Sequence, residues 1–228
     1  MELKISPTLL DSFEWYLRCP ASWKQQAYKD LVAKLQRKPF VESAAIRKGK
    51  QFEETIQLMA HDLDNGLTVS GPKYYVEIAN ACQGGVWQEW HKCTFDVGYN
   101  AEVKCYGKFD VFFPQSGLII DLKTTGRTPN INKYLNGWQS KFYPHMVQSQ
   151  QMIYIVATWL NPGDEVDTRI SGFTNIGVKP NLATVKDEIV AELKKFYAWL
   201  QMNRPLWKDY VEIYSKNGEG SVESVKRI

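Results

Sequence analysis

Gly107-Lys108-Phe109-Asp110-Val111-Phe112-Phe113, then Pro114-Gln115-Ser116-Gly117, then Leu118-Ile119-Ile120-Asp121-Leu122-Lys123-Thr124-Thr125 is the stretch that decides the fold. Aromatic and β-branched residues make both outer halves strands, and the short turn-rich link makes them an antiparallel hairpin. Side chains alternate faces along a strand, so Asp121 and Lys123 leave one side while Ile120 and Leu122 leave the other. On the preceding strand Val103, Cys105, Gly107, Phe109, Val111 and Phe113 form a mostly apolar face, with Asp110 opposite. A register that sets Asp110 beside Asp121 gathers two acids and a lysine around one point.

Such a group suits phosphodiester hydrolysis. Two carboxylates hold a hard, oxygen-preferring divalent ion, which polarises a phosphate and lowers the pKa of a bound water. An adjacent lysine orients that water and offsets charge developing on the phosphorus oxygens. On the Asp-x-Lys spacing alone, a solvated surface pair is the commoner outcome. The upstream Gly-Lys-Phe-Asp and the buried-looking Leu-Ile-Ile run shift the balance toward a site.

The pattern Gly107-x-x-Asp110, a turn, then apolar-apolar-Asp121-x-Lys123-Thr124 resembles the core of the PD-(D/E)xK nucleases. The likeness is greatest to the branch containing RecB-type nuclease domains, CRISPR-associated adaptation nucleases and lambda-type phage exonucleases. It implies an α/β fold with a restriction-endonuclease-like mixed sheet flanked by helices, and a deoxyribonuclease dependent on Mg²⁺ or Mn²⁺. It also implies catalytic and metal-binding roles for Asp110 and Asp121, a ligand role for the Leu122 carbonyl, and a catalytic role for Lys123.

Further motifs follow in the family's order. A helix over about 41–63 carries Phe52, Ile56, Met59 and Leu63 as its apolar stripe. Gly49 and Glu53, four apart, share a face of it. The family's Gly-x-x-x-His is similar, with Glu53 in place of the histidine that assists metal binding. An oxygen ligand suits Mg²⁺ better than imidazole does, so the resemblance makes Glu53 a catalytic and metal-site residue, with Glu54 as the fallback; a helical glutamate is otherwise commonly mere surface. A helix is expected over 143–160, where Gln150 and Tyr154 match the Gln-x-x-x-Tyr that supports the site or contacts DNA in relatives. Arg127, in the loop after the Asp-x-Lys strand, is a candidate phosphate contact, although an exposed loop arginine needs no such role.

Composition bounds these expectations. The 228 residues can bury a sizeable core and are most simply one domain, with a helical elaboration over about 1–40 and a C-terminal helix plus tail over about 181–228. A net charge of +3 permits a nucleic-acid partner without demanding one. No apolar run approaches a membrane span and Met1-Glu2-Leu3-Lys4 lacks a signal-peptide pattern, so the expected compartment is cytoplasmic, with no membrane partner.

Cys19, Cys82, Cys93 and Cys105 include no Cys-x-x-Cys pair, and free thiols are expected. Some relatives hold an iron-sulfur cluster with one early cysteine and a C-terminal group. No cysteine follows Cys105, so a cluster of that layout cannot form.

Along the rest of the chain, Ser6-Pro7 opens a first helix, Ser6 as its cap. Lys24, Lys29, Lys34, Arg37 and Lys38 make a charged stretch that is more simply a wet face than a phosphate contact. Strands are expected over 86–99, 101–113, 118–124 and 166–178, with Tyr99-Asn100 as a turn. A helix is expected over 181–203, ended by Arg204-Pro205-Leu206-Trp207 ahead of a polar tail from Lys208. The resemblance makes DNA the partner and leans to an exonuclease in recombination, repair or end processing, in bacteria or their phages. It leaves open a recombination partner protein and a homo-oligomer. The competing expectation is a DNA-binding or assembly subunit that kept the fold and lost turnover, for which the missing histidine is the best argument.

Overall fold

The hairpin is present in the computed structural model, which describes residues 2–39, 42–98 and 101–215. In chain order the elements are β1 (Glu2–Ile5), α1 (Pro7–Arg18), α2 (Lys24–Leu35), α3 (Ala44–Asp64), α4 (Lys73–Cys82), β2 (Val86–Asp96), β3 (Glu102–Phe113) and β4 (Leu118–Thr125). They continue with α5 (Ile131–Asn136), α6 (Gln139–Val147), β5 (Met152–Trp159), β6 (Ile170–Val178), α7 (Leu182–Met202) and α8 (Arg204–Ser215). The fold is α/β. Its sheet runs β1-β3-β4-β5-β6, with β2 also on β3. It is mixed, since β1–β3 and β4–β5 pair parallel while β3–β4 and β5–β6 pair antiparallel.

The chain divides into two compact units, one of Met1–Pro39, Lys92–Tyr106 and Lys186–Ile228, the other of Phe40–His91 and Gly107–Val185. In the first, Ser6 Oγ accepts from Leu9 N–H and Pro7 opens α1, as the Ser-Pro dipeptide requires. Phe13 of α1 meets Phe196 of α7 edge-on at 5.1 Å. β1 pairs with β3 from Glu2–Glu102 to Ile5–Cys105. In the second, Phe52 and Ile56 of α3 and Tyr75 and Ile78 of α4 bury against Val111, Ile120, Leu122 and Ile155 of the sheet. That apolar layer backs the hairpin.

Three expectations are corrected. Residues 143–160 are not one helix: α6 ends at Val147, Gln148 turns left-handed at φ +53°, and Met152–Trp159 is a strand. The run Met-Ile-Tyr-Ile-Val-Ala-Thr-Trp is buried along nearly its whole length, and a central strand covered on both faces loses the alternation that marks other strands. The strand expected from residue 166 starts at Ile170, because Asp164 and Asp167 cap backbone amides in the loop before it. The segment from Arg204 is a further helix, α8, whose buried Tyr210 donates its hydroxyl to Lys4 O across 2.6 Å. The Tyr99-Asn100 turn and the tail from Lys216 lie outside the described residues. Among the described residues no helix is long and apolar enough to cross a membrane.

Candidate active site

β3 and β4 pair through Val111–Ile120, Phe112–Ile119 and Phe113–Leu118, and one step further along this register Asp110 comes level with Asp121. There the backbone holds the side chain: Leu122 N–H donates to Asp110 Oδ2 across 2.8 Å. On its other side β4 runs parallel to β5, with Asp121 opposite Tyr154. Lys123 Nζ stands at the focus of three oxygens. It forms an ion pair with Asp121 Oδ2, lies 4.0 Å from Asp110 Oδ2 and donates to Leu122 O across 3.4 Å. The Asp121 side chain is only 1% exposed, and beyond the ion pair its Oδ2 receives no hydrogen bond.

The electrostatics follow from this crowding. Burial pushes the Asp121 carboxyl up to about 7, with Lys123 opposing and Asp110 adding to the rise. Burial would lower the Lys123 ammonium, but Asp121 and then Asp110 outweigh it and hold it above the ordinary lysine value. Glu53, on α3, feels the same group. Burial, then Asp110, lift it to about 7; Asp121 adds to the rise while Lys123 and Lys108 oppose it. α3 comes close because Gly49, one turn before Glu53, has no side chain: a Cβ there would stand 3.2 Å from Thr124 Oγ1 of β4. The Glu53 carboxylate accepts a hydrogen bond from Gln88 Nε2 of β2.

α6 supplies a second wall. Gln139 Nε2 donates to Tyr143 OH across 3.0 Å, and that hydroxyl donates across 3.2 Å to the carbonyl of Lys108, two residues before Asp110 on β3. The Tyr143 ring lies where Gly107 would carry its side chain, 2.4 Å from the position of a Cβ. Burial, and after it Asp121, raises the Tyr143 phenol above its usual value. The half-buried Tyr134 of α5 is raised as well, by burial with Asp121 adding and Lys123 opposing. Its ring sits 5.2 Å from that of Tyr154.

Gln150 and Tyr154 do not share a helix face. Gln150 is exposed in the turn before β5, whereas Tyr154 is 2% exposed within β5. The helical Gln-x-x-x-Tyr after β4 is instead Gln139 to Tyr143, the earlier occurrence of the same spacing. Arg127 is exposed beyond β4, its amide held by Thr125 Oγ1 at 3.2 Å. Gln88, Tyr134, Gln139 and Tyr143 were not singled out by sequence; the duplicated spacing was the one signal for two of them.

Neither a protein-family model nor a curated protein sequence matches this chain. Solved structures similar to it include two exonucleases. One is a phage-related exonuclease from Haemophilus somnus 129PT, with a TM-score of 0.49 and 15% identity over 90% of this chain and 97% of that one. The other is an alkaline exonuclease from Laribacter hongkongensis, with a TM-score of 0.44 and 15% identity over 90% and 94% of the two chains.

Among the described residues no group of three or more His, Cys, Asp or Glu side chains is placed to hold a metal ion as it stands. The grouped donors are two carboxylates and one carbonyl, Asp110, Asp121 and Leu122 O, with Glu53 within electrostatic reach. All are oxygen, the donor type of Mg²⁺ and Mn²⁺. They already surround one positive charge, the Lys123 ammonium, so the donor set fits a hard cation. The four cysteines are free thiols.

Proposed function

We propose that the chain is a divalent-cation-dependent deoxyribonuclease of the PD-(D/E)xK type, acting on DNA ends as an exonuclease in recombination, repair or end processing. One observation carries this function: Asp110, Asp121 and the Leu122 carbonyl converge on Lys123 Nζ, from two strands and within one hairpin. In this scheme those three groups hold Mg²⁺ or Mn²⁺, and Glu53 supplies a further oxygen. The cation, when bound, polarises the scissile phosphate and makes water acidic enough to supply a nucleophile at neutral pH. Lys123 orients the attacking water and balances charge on the phosphoryl oxygens. Gln139 and Tyr143 fix the backbone at Lys108 and so the course of β3 into Asp110. Arg127 contacts the DNA backbone.

The test is incubation with end-labelled linear DNA and with circular DNA, plus Mg²⁺ or Mn²⁺. Linear DNA is expected to shorten from its ends while circles persist, and EDTA is expected to stop the reaction. Lys123→Ala should lose cleavage and keep DNA binding. Cleavage surviving in excess EDTA, or in the purified Lys123→Ala protein, contradicts the scheme. A second function, a DNA-binding subunit without turnover, is favoured by Glu53 standing where the family pattern has a histidine. It predicts salt-dependent binding and no metal-dependent product.

A further inference from the structure

Three non-glycine residues among those described have positive φ: Arg37, Gln88 and Gln148. Arg37 follows α2 and Gln148 caps α6, where chains often turn left-handed. Gln88 is different. It lies inside a strand, the third residue of β2, at φ +57°. An L-residue adopts this conformation only at a cost, and such strain persists where the surroundings over-determine it.

The surroundings here do so. The backbone at Gly85, just ahead of β2, is pressed so closely to β3 that a Cβ would stand 2.2 Å from Val111 Cγ1. The start of β2 is thereby fixed beside the residue that follows Asp110. A left-handed residue in a strand re-aims its side chain, as bulges do near active sites. The Gln88 side chain is aimed at Glu53, and its amide donates to Oε1.

We propose that Gln88 is a positioning residue for Glu53, an assignment that rests on the nuclease function above. The amide takes Oε1, so Oε2 would be the oxygen available to hold a cation. That hydrogen bond fixes one oxygen of a carboxyl whose proton affinity burial and the neighbouring acids Asp110 and Asp121 raise. The two cationic groups that oppose the rise at Glu53, Lys123 and Lys108, are both on the hairpin, and the Gln88 amide ties Glu53 to β2.

Gln88→Gly and Gln88→Ala separate this role from a purely structural one. Both remove the amide, but alanine keeps the left-handed strain and glycine relieves it. Without divalent ions, the glycine variant should unfold about 2–4 °C above the alanine variant. Mn²⁺ affinity, measured by calorimetry without DNA, should nevertheless fall about tenfold in both, the usual scale for losing a group that orients a ligand. The assignment is overturned if both variants bind Mn²⁺ as the wild type does. It is equally overturned if affinity follows stability, with glycine near wild type and alanine weak. A wild-type protein that neither takes up Mn²⁺ nor cuts DNA removes the nuclease function itself; a wild type that does both, with variants to match, removes only the role of Gln88.

Discussion

Lys123 stays protonated through the neutral range because two carboxylates raise it against the effect of burial, so the pH dependence of the site belongs to the acids. Glu53 and Asp121 are each lifted to about 7, chiefly by burial. Between about pH 4 and 7 the folded protein therefore keeps protons that the unfolded chain has released. Stability of the metal-free protein should fall across that window, by up to about 1.4 kcal/mol per pH unit for each group, and level off above it. Urea unfolding in EDTA at pH 5, 7 and 8.5 measures this directly, and Glu53→Gln should remove its share of the slope. Cation affinity should run the opposite way and rise through the same window, because the ligands must ionise to bind. A metal-free stability that climbs from pH 5 to 8.5 contradicts the burial of these carboxyls.

At the level of elements, the hairpin and α6 depend on one close approach. A methyl group on Gly107 would meet the Tyr143 ring at 2.4 Å, and that ring is held at its hydroxyl by Gln139 and the Lys108 carbonyl. Gly107→Ala is expected to cost about 1–3 kcal/mol, the range for overpacking a tight interior. Because β3 carries Asp110 three residues on, cleavage should fall further than the folded fraction does. Thermal unfolding and initial rates on one preparation check both; a variant as stable and as active as wild type would show that α6 yields freely. The hairpin itself was legible, since Pro114 to Gly117 marks a turn between two apolar runs and the period of two separates Asp121 and Lys123 from their neighbours. β5 was not, because a short apolar run buried on both faces looks alike as helix or strand. That ambiguity carried the Gln-x-x-x-Tyr assignment to Gln150 and Tyr154 instead of Gln139 and Tyr143. β1 has four residues, too few to display a period.

For the molecule as a whole, a net charge of +3 understates how the charge is distributed. No acidic residue lies between Asp121 and Asp164, and that stretch carries Lys123, Arg127, Lys133 and Lys141. Asp121 is thus followed in the chain by a basic segment, which under the proposed function would offset the repulsion between a polyanion and the carboxylates. Glu53 needed three dimensions to be weighed, since its rise to about 7 comes from burial and then from Asp110, far from it in sequence, whereas the acid-free run can be counted from the sequence alone. Arg127 and Lys133 are exposed within it. If both contact phosphates, DNA binding in EDTA should weaken linearly in log affinity against log salt, and the Arg127→Ala, Lys133→Ala double variant should flatten that slope by about 1–2. Lys29→Ala, on the charged face of α2 in the other unit, should leave the slope within error of wild type. Fluorescence anisotropy over a salt series gives all three slopes. An unchanged slope in the double variant would place the DNA backbone elsewhere on the surface.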